Sequence, residues 1–329
     1  MNPRVSRLLS ALGPLLGLCF VIGMFCLSPE VRPVFTTGGN VKTVLTQTVI
    51  VALGTLGMTL IIVSGGIDLS VGSVVALSSV VAAKLVVAEA SPLVVVAAAM
   101  LTGGLIGAVN GGIIAVFRML PFIVTLGMMG VVRGSAKWLS NSQTVTPTKL
   151  QLEGTWVDDV MTPMNPLQFW PLPPGVWVAI ALSVVMVIVL RQTVFGRYIF
   201  ALGSNEATAR LCGIRVPLQK FLIYSLAGLF FGLAGLMQFS RLNQGDPSIA
   251  IGLELDIIAA VVIGGASLNG GTGSIMGSMI GALMMAVLRS GASQMGWPTY
   301  MQEIIIGVVI VLAVGLDKWR QYRAARRGG

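Results

Sequence analysis

The chain has 329 residues, of which 55% are hydrophobic and only 10% are charged, and its mean hydropathy of +0.90 excludes a soluble globule with a polar surface. The formal charge is +9, but the basic residues lie in short loops and at one end of the chain, so we do not expect nucleic acid as a partner. The chain contains no histidine, which excludes serine–histidine–aspartate catalysis and imidazole metal sites, and we predict no catalytic residue and no metal site.

Long apolar runs recur along the chain. Runs of about 17–25 residues have the length that crosses a bilayer as an α-helix. They predict an all-α membrane protein, a bundle of about ten transmembrane helices that forms a single transmembrane domain over residues 1–329. The ten candidate spans are about 8–28, 46–64, 70–88, 92–117, 121–140, 174–190, 218–240, 253–266, 273–290 and 302–316. The eighth is short enough to be a broken or partly inserted helix, and without it the count is nine.

The first run follows Arg4 and Arg7 and therefore also has features of a secretory signal. It is longer than the usual signal core, and Ser28-Pro29-Glu30 follows it without a cleavage site of small residues. We expect an uncleaved first span.

The basic residues indicate how these spans are oriented. With ten spans and a cytoplasmic N-terminus, the inner segments hold 13 of the 21 basic residues, and the opposite side holds nine of the 12 acidic residues. Lys and Arg collect on the cytoplasmic side of membrane proteins. We therefore predict that both termini are cytoplasmic.

Two segments outside the spans stand out. Residues 141–173 contain Trp156, Trp170 and five prolines, and we predict a periplasmic loop with a short surface helix or a docking loop; an ordinary connector is the alternative. Residues 317–329 form a basic cytoplasmic tail that begins with Trp319 and Tyr322, which is typical of an interfacial anchor to anionic membrane lipid.

Glycines mark predicted helix ends. Gly65-Gly66 is followed by Asp68 and Ser70, a pattern typical of a helix that stops and a second helix that restarts with a polar cap. A gate in a transport pathway is the alternative interpretation, because charged groups at membrane depth are costly and tend to be functional. Gly264-Gly265 repeats part of this pattern, as an internal repeat would. The candidate gate or helix-break residues are Gly65, Gly66, Asp68, Ser70, Gly264 and Gly265.

Other glycines recur every four residues on one helix face. Small residues at this spacing allow helix backbones to approach each other inside a membrane. We predict helix-packing seams at Gly103, Gly107 and Gly111 and at Gly273, Gly277 and Gly281, with a shorter seam at Gly228 and Gly232.

The inner segment 191–217 is expected to contain a short amphipathic helix. Ser204 or Asn205 can cap it, Glu206 and Arg210 can pair four residues apart, and Gly213 can end it. A helix of about two turns is not stable alone in water, so it needs a surface or a partner on which to dock.

The segments 57–70 and 196–214, together with Gly252-Leu253-Glu254-Leu255-Asp256 and the Gly-rich stretch after it, resemble the permease subunits of bacterial ABC sugar importers, above all those for ribose and related monosaccharides. The resemblance runs from about residue 40 to 316. It implies an inner-membrane permease that pairs with a second copy or a related permease, a cytoplasmic ATPase subunit that binds ATP and Mg²⁺, and a periplasmic sugar-binding protein. The matching ATPase-coupling helix would comprise Ser204, Asn205, Glu206, Ala207, Ala209, Arg210 and Gly213.

The residues also point to an external energy source. The chain has no Gly-x-x-x-x-Gly-Lys-Ser/Thr phosphate loop and no Gly-Lys pair, so it is not an ATPase of that type and carries no cofactor of its own. The alternative is a secondary transporter or channel, which would usually carry ionisable residues inside its spans. Such residues are few, chiefly Arg133, Lys137 and Arg289. Polar groups within the spans that are suited to a sugar path are Thr55, Thr59, Ser64, Asn110, Thr125, Ser225, Gln238 and Ser278, and the pattern does not choose among them.

Overall fold

A computed structural model describes residues 3–162 and 172–325. Apart from an isolated bridge between Val145 and Gly245, the regular elements in these residues are helices. The α-helices are α1 (Pro3–Leu27), α2 (Arg32–Phe35), α3 (Gly38–Val63), α4 (Val71–Val87), α5 (Pro92–Phe117), α6 (Pro121–Leu139), α7 (Lys149–Glu153), α8 (Pro174–Gln192), α9 (Val194–Ser204), α10 (Glu206–Leu211), α11 (Val216–Leu242), α12 (Leu253–Ile263), α13 (Ile275–Gln294) and α14 (Thr299–Ala325). A 3₁₀ turn covers Asp158–Met161.

Five of the described helices, α3, α5, α8, α11 and α13, are long and apolar enough to cross a membrane. The apolar helix α4 and the apolar parts of α1 and α14 are shorter. The predicted all-helical architecture with membrane-spanning elements is confirmed. The count of ten crossings stays a prediction.

Three predicted boundaries were wrong. Helix α3 begins at Gly38, eight residues before the predicted start, because Thr37 caps it by accepting a hydrogen bond from Asn40 N–H at 3.2 Å. Helix α12 has 11 residues and ends at Ile263, three residues before the predicted end of the eighth span. Helix α14 continues to Ala325, nine residues past the predicted end of the tenth span, and residues 326–329 lie outside the described chain; the basic tail as a membrane anchor stays a prediction.

The loops gather at two ends of the bundle. The junction end carries residues 64–70, 193–215 and 264–274, which hydrogen bonds and close backbone contacts connect. Arg118, after α5, lines a cavity there together with Glu206 and Arg210. The far end carries residues 140–162 and 243–252, where Val145 and Gly245 bond to each other through their backbones. Helix α3 runs between the two ends through the centre of the core and packs against α11, α13, α12 and α8.

The predicted seam on α5 is confirmed. A methyl group added at Gly103 would overlap the Gly228 carbonyl, and one added at Gly107 would overlap the Tyr224 carbonyl. The backbones of α5 and α11 are therefore in direct contact, and the shorter seam at Gly228 and Gly232 is the matching face of α11.

The second predicted seam is confirmed at two of its three glycines. Gly277 lies against the Gly264 carbonyl and Gly281 against the Ala260 carbonyl, so α13 packs closely on α12. Gly273 precedes α13 and lies against the side chains of Val63 and Ala266, so its assignment to the helix face was wrong.

The segment after α6 contains the short helix that was predicted. A capping box of Thr148 and Gln151 starts α7, and Gln151 also donates a 2.9 Å hydrogen bond to the Val87 carbonyl of α4. The Ser240 hydroxyl of α11 donates to the Asp158 carbonyl and accepts from Met161 N–H, both at 3.0 Å. The segment is therefore fixed to the far end of the bundle. A docking role for it stays a prediction, and Trp170 lies outside the described residues.

Candidate coupling site at the junction end

The first glycine pair ends α3 as the pattern predicts. Gly65 N–H bonds to the Ile62 carbonyl and Gly66 N–H to the Ile61 carbonyl, each at 2.9 Å. This pair of bonds defines a Schellman motif, which requires a left-handed residue after the helix. Gly65 provides it with φ +86°, where a side chain would be strained.

The second pair ends α12 in the same way. Gly265 N–H bonds to the Val262 carbonyl at 2.9 Å, Ala266 N–H bonds to the Val261 carbonyl at 3.1 Å, and Gly265 has φ +93°. The repeated Gly-Gly pattern therefore corresponds to the same local structure at the ends of two helices, both at the junction end.

Asp68 does not cap α4 in the expected way. Ser70 occupies the N-cap position, and Asp68 accepts hydrogen bonds from the Ser70 N–H at 2.7 Å and the Ser70 hydroxyl at 2.6 Å. Asn110 of α5 donates to the Ser70 hydroxyl at 3.0 Å and to the other Asp68 oxygen at 3.4 Å. All three side chains are buried, so Asp68 connects the start of α4 to α5 and does not bond to the first turn of α4.

A further hydrogen-bonded contact holds the same loop. Thr125 of α6 accepts from Leu69 N–H at 3.1 Å and donates to the Ile67 carbonyl at 3.2 Å. The loop between α3 and α4 is therefore fixed to both α5 and α6. Whether it gates a pathway stays a prediction.

The loops that follow α3 and α12, the two helices ended by glycine pairs, meet at the C-terminal end of α9. Gly271 N–H donates a 2.9 Å hydrogen bond to the Val63 carbonyl in the last turn of α3. A methyl group on Gly203 would overlap that carbonyl and approach Gly271 N, and one on Gly270 would lie 2.9 Å from the Gly65 Cα. We call the contact of Gly65, Gly203, Gly270 and Gly271 the glycine junction.

One residue separates α9 from the next helix. Asn205 ends α9 and caps α10, since its side-chain oxygen accepts from Thr208 N–H at 2.9 Å. Arg210 pairs with Glu206 at 3.2 Å, and Gly213, with φ +83°, ends α10 in a third Schellman motif. The predicted helix is confirmed, and Asn205 rather than Ser204 is its cap.

Helix α10 has a fixed side and a free side. Ala209 is 3% exposed, and Glu206 forms a second ion pair, with Lys220 of α11, at 2.7 Å. The side of α10 that carries Glu206 and Ala209 is therefore held on the bundle. Ala207 and Leu211 face away, and Leu211 is 88% exposed, the largest exposed fraction among the exposed large apolar side chains of the described chain.

Sequence reasoning missed Leu211 and Lys220. Leu211 was recoverable, because a leucine in a helix that needs a docking surface marks its free face. Lys220 was not, because it follows Glu206 by 14 residues, beyond any helical spacing.

The ionisable residues predicted inside spans have structural partners or reach the surface. Arg133 donates to the Pro247 and Ile249 carbonyls at 2.9 and 2.6 Å, and Arg289 pairs with Asp256 at 2.6 Å. Lys137 is exposed near the end of α6. These contacts give the arginines roles in holding the far end together.

Most candidate path residues bond within the bundle. Thr59 bonds to the Ser278 hydroxyl at 2.7 Å, while Thr55, Ser64 and Ser225 donate to carbonyls of their own helices. Gln238 has no hydrogen-bond partner among the described residues and lines a cavity at the far end.

The geometry at the junction end suits mechanical transmission. Asn205 joins α10 directly to the end of α9, which lies against the last turn of α3 and the loop before α13, so a displacement of α10 would reach both. Because glycines leave backbone against backbone there, no flexible side chain absorbs the movement.

Comparison with known proteins adds to this picture. A family model described as branched-chain amino acid transport system / permease component matches residues 40–314. The chain is 41% identical over 311 residues to the ribose import permease protein of Escherichia coli (strain K12), covering 92% of this chain and 93% of that protein. It is 37% identical to the L-arabinose ABC transporter permease protein of Azospirillum brasilense (88% and 83% covered) and 34% identical to the fructose import permease protein of Rhizobium meliloti (88% and 81% covered). No solved structure matches the chain.

Proposed function

This chain belongs to the family of branched-chain amino acid transport system / permease components, and from that membership we propose that it forms half of the translocation pathway of an ATP-driven ABC importer for a monosaccharide. The chain is a permease component and not an enzyme. ATP and Mg²⁺ bind to a separate cytoplasmic ATPase subunit, a periplasmic binding protein delivers the sugar, and a second copy or a related permease completes the pathway.

The substrate class follows the relatives and not the family description. The family description names branched-chain amino acids, whereas the relatives compared above, which match more than four fifths of their length, are named for ribose, L-arabinose and fructose. A monosaccharide resembling one of these three is therefore the proposed cargo.

The proposed placement is the bacterial inner membrane with ten crossings and both termini in the cytoplasm. Its support is the alternation of α1, α3, α4, α5, α6, α8, α11, α12, α13 and α14 between the far and junction ends. The 13 basic residues of the inner segments support a cytoplasmic junction end. Helix α12 has 11 residues and rises only about 17 Å, so the loop after it completes that crossing.

The observation that carries the proposal is the position of α10. It has a free face with Ala207 and Leu211, it is held on the bundle by Glu206 and Lys220, and it adjoins the glycine junction. The proposed coupling residues are Ser204, Asn205, Glu206, Ala207, Ala209, Arg210 and Gly213. Closure of the ATPase subunits would move α10 and, through α9, the ends of α3 and α12.

Reconstitution tests this proposal. The chain is combined in proteoliposomes with a candidate ATPase subunit and a candidate periplasmic binding protein from the same organism, and uptake of labelled D-ribose, L-arabinose and D-fructose is measured with and without ATP. We expect uptake of one sugar only when ATP and both partners are present. Deletion of 203–213, or Glu206→Lys, should abolish uptake while the chain stays in the membrane. Uptake by the chain alone without ATP would favour the secondary transporter instead.

A further inference from the structure

A cavity of about 530 Å³ opens at the far end, opposite the coupling helix. It lies between α3, α11, α12 and α13, with the first turn of α14 at its edge. Its volume is within the range of about 300–1,000 Å³ that small-molecule sites occupy. In the proposed orientation it faces the periplasm, where a binding protein would release its cargo.

Three of the polar side chains that line this cavity, two glutamines and one arginine, have no hydrogen-bond or ion-pair partner among the described residues. Gln238 of α11 is 6% exposed, and neither it nor Gln47 of α3 has a hydrogen bond within the described residues. Arg241, one turn after Gln238, has no ion pair in the same part of the chain. The amide atoms of Gln238 are open to the cavity, so their hydrogen-bonding capacity is available to a polar ligand there.

An ion pair adds a carboxylate to the same wall. The Nε of Arg289 donates a 2.7 Å hydrogen bond to one oxygen of Asp256, and the Nη2 lies 2.6 Å from the same oxygen in an ion pair, which holds the carboxylate in place. Asp256 is 3% exposed, and its other oxygen accepts no hydrogen bond from the described residues. The cavity therefore holds a fixed acceptor beside two amides that both donate and accept.

This set of groups distinguishes between ligand classes. Sugar hydroxyls donate and accept, so they suit amides and a carboxylate oxygen that is already neutralised by an arginine. The apolar side chain of a branched-chain amino acid offers no hydrogen-bonding group to the amides of Gln47 and Gln238, whereas a sugar offers hydroxyls to both. From this geometry we propose that the cavity is a subsite for the hydroxyl groups of a monosaccharide, bound by Gln47, Gln238 and Asp256, an inference that rests on the proposed function.

Direct binding to the full-length chain in lipid nanodiscs tests the subsite without the partner proteins. Binding of D-ribose, L-arabinose, D-fructose and L-leucine is measured by saturation-transfer NMR titration. We expect one of the sugars to bind and leucine not to bind. Gln238→Leu and Gln47→Leu should each weaken sugar binding by about three- to tenfold, the effect of one lost hydrogen bond, and Gln238→Asn, which keeps an amide, should weaken it less.

The matched control is Gln219→Leu. Gln219 is also a buried glutamine of α11, 8% exposed, but it lies near the junction end and outside the cavity. We expect the Gln219→Leu variant to bind sugar with the affinity of the unaltered chain. Binding of leucine, no binding of any of the three sugars, or equal binding by the Gln238→Leu and Gln219→Leu variants would overturn the subsite. Normal ATP-driven uptake alongside any of these results would leave the proposed function standing, whereas loss of ATP-driven uptake by the unaltered importer would overturn the function itself.

Discussion

The junction end and the far end of the bundle differ in what fills the space between helices. At the junction end, Gly203 and Gly270 bring backbone against backbone, and no methyl group fits between them. At the far end, the side chains of four helices stand apart around a space of about 530 Å³. Close-packed backbone passes on a displacement, whereas a cavity lined by side chains admits a ligand. The two ends are therefore suited to different tasks within one transport cycle.

The largest effect is expected from breaking the tight contact at the junction end. In a Gly203→Val variant the side chain would overlap the Val63 carbonyl and displace Gly271, whose N–H bonds to that carbonyl. Overpacking of this kind costs about 1–3 kcal/mol. We expect loss of most ATP-driven uptake and a lower temperature of thermal unfolding.

Gly127→Val is the control for this substitution. Gly127 is an exposed glycine of α6, and a Cβ added there would meet no atom within 4 Å, so a side chain is accommodated. Wild-type uptake by the Gly203→Val variant would show that the close backbone contact is not needed for coupling.

The second comparison uses two exposed leucines on short helices at opposite ends. Leu211 of α10 is 88% exposed and Leu150 of α7 is 78% exposed. Burial of a leucine in an interface contributes about 1.5–3 kcal/mol, so Leu211→Asp should weaken binding of the ATPase subunit by about tenfold or more. Titration of the ATPase subunit onto the chain in nanodiscs measures this affinity.

Leu150→Asp should leave the affinity for the ATPase subunit unchanged, because α7 lies at the far end. Equal affinities of the two aspartate variants would remove the distinction between the ends and the docking role of α10.

A smaller effect is expected from the buried polar contacts of the loop between α3 and α4. Asn110→Ala removes the donor to the Ser70 hydroxyl and to Asp68, leaving a buried carboxylate with one partner fewer. The expected loss is about 1–3 kcal/mol of unfolding free energy, measured by chemical denaturation in detergent. Ser225→Ala, which removes only a bond to the carbonyl of Phe221 on the same helix, should change stability by less than about 0.5 kcal/mol. A stability loss no larger than that of Ser225→Ala would contradict the bracing role of Asn110.

The smallest effect concerns the start of α10. Asn205→Ala removes the hydrogen bond to Thr208 N–H, and loss of an N-cap costs about 1 kcal/mol. We expect faster amide hydrogen exchange over residues 206–211, while Asn205→Asp, which can still cap, should exchange at the original rate. If the alanine and aspartate variants exchange equally fast, Asn205 does not determine the stability of this helix.

Local features were predictable because they depend on neighbours in the chain. The glycine pairs that end α3 and α12, the pairing of Glu206 with Arg210, and the seam at Gly103 and Gly107 all follow from helix hydrogen bonding and helix periodicity. The start of α3 was missed because residues 38–45 are polar enough to lie beyond an apolar run, although Thr37 provides a cap.

The sequence by itself determined that this chain is a helical membrane protein, where most of its helices end, and to which permease family it belongs. Only the tertiary structure decided that Gly65, Gly203 and Gly270 meet, that Lys220 holds Glu206, and that Gln238 faces a cavity while Thr59 bonds to Ser278. Helix ends depend on hydrogen bonds within a few residues, whereas these contacts join segments far apart in the chain. They exist only once the whole bundle has packed.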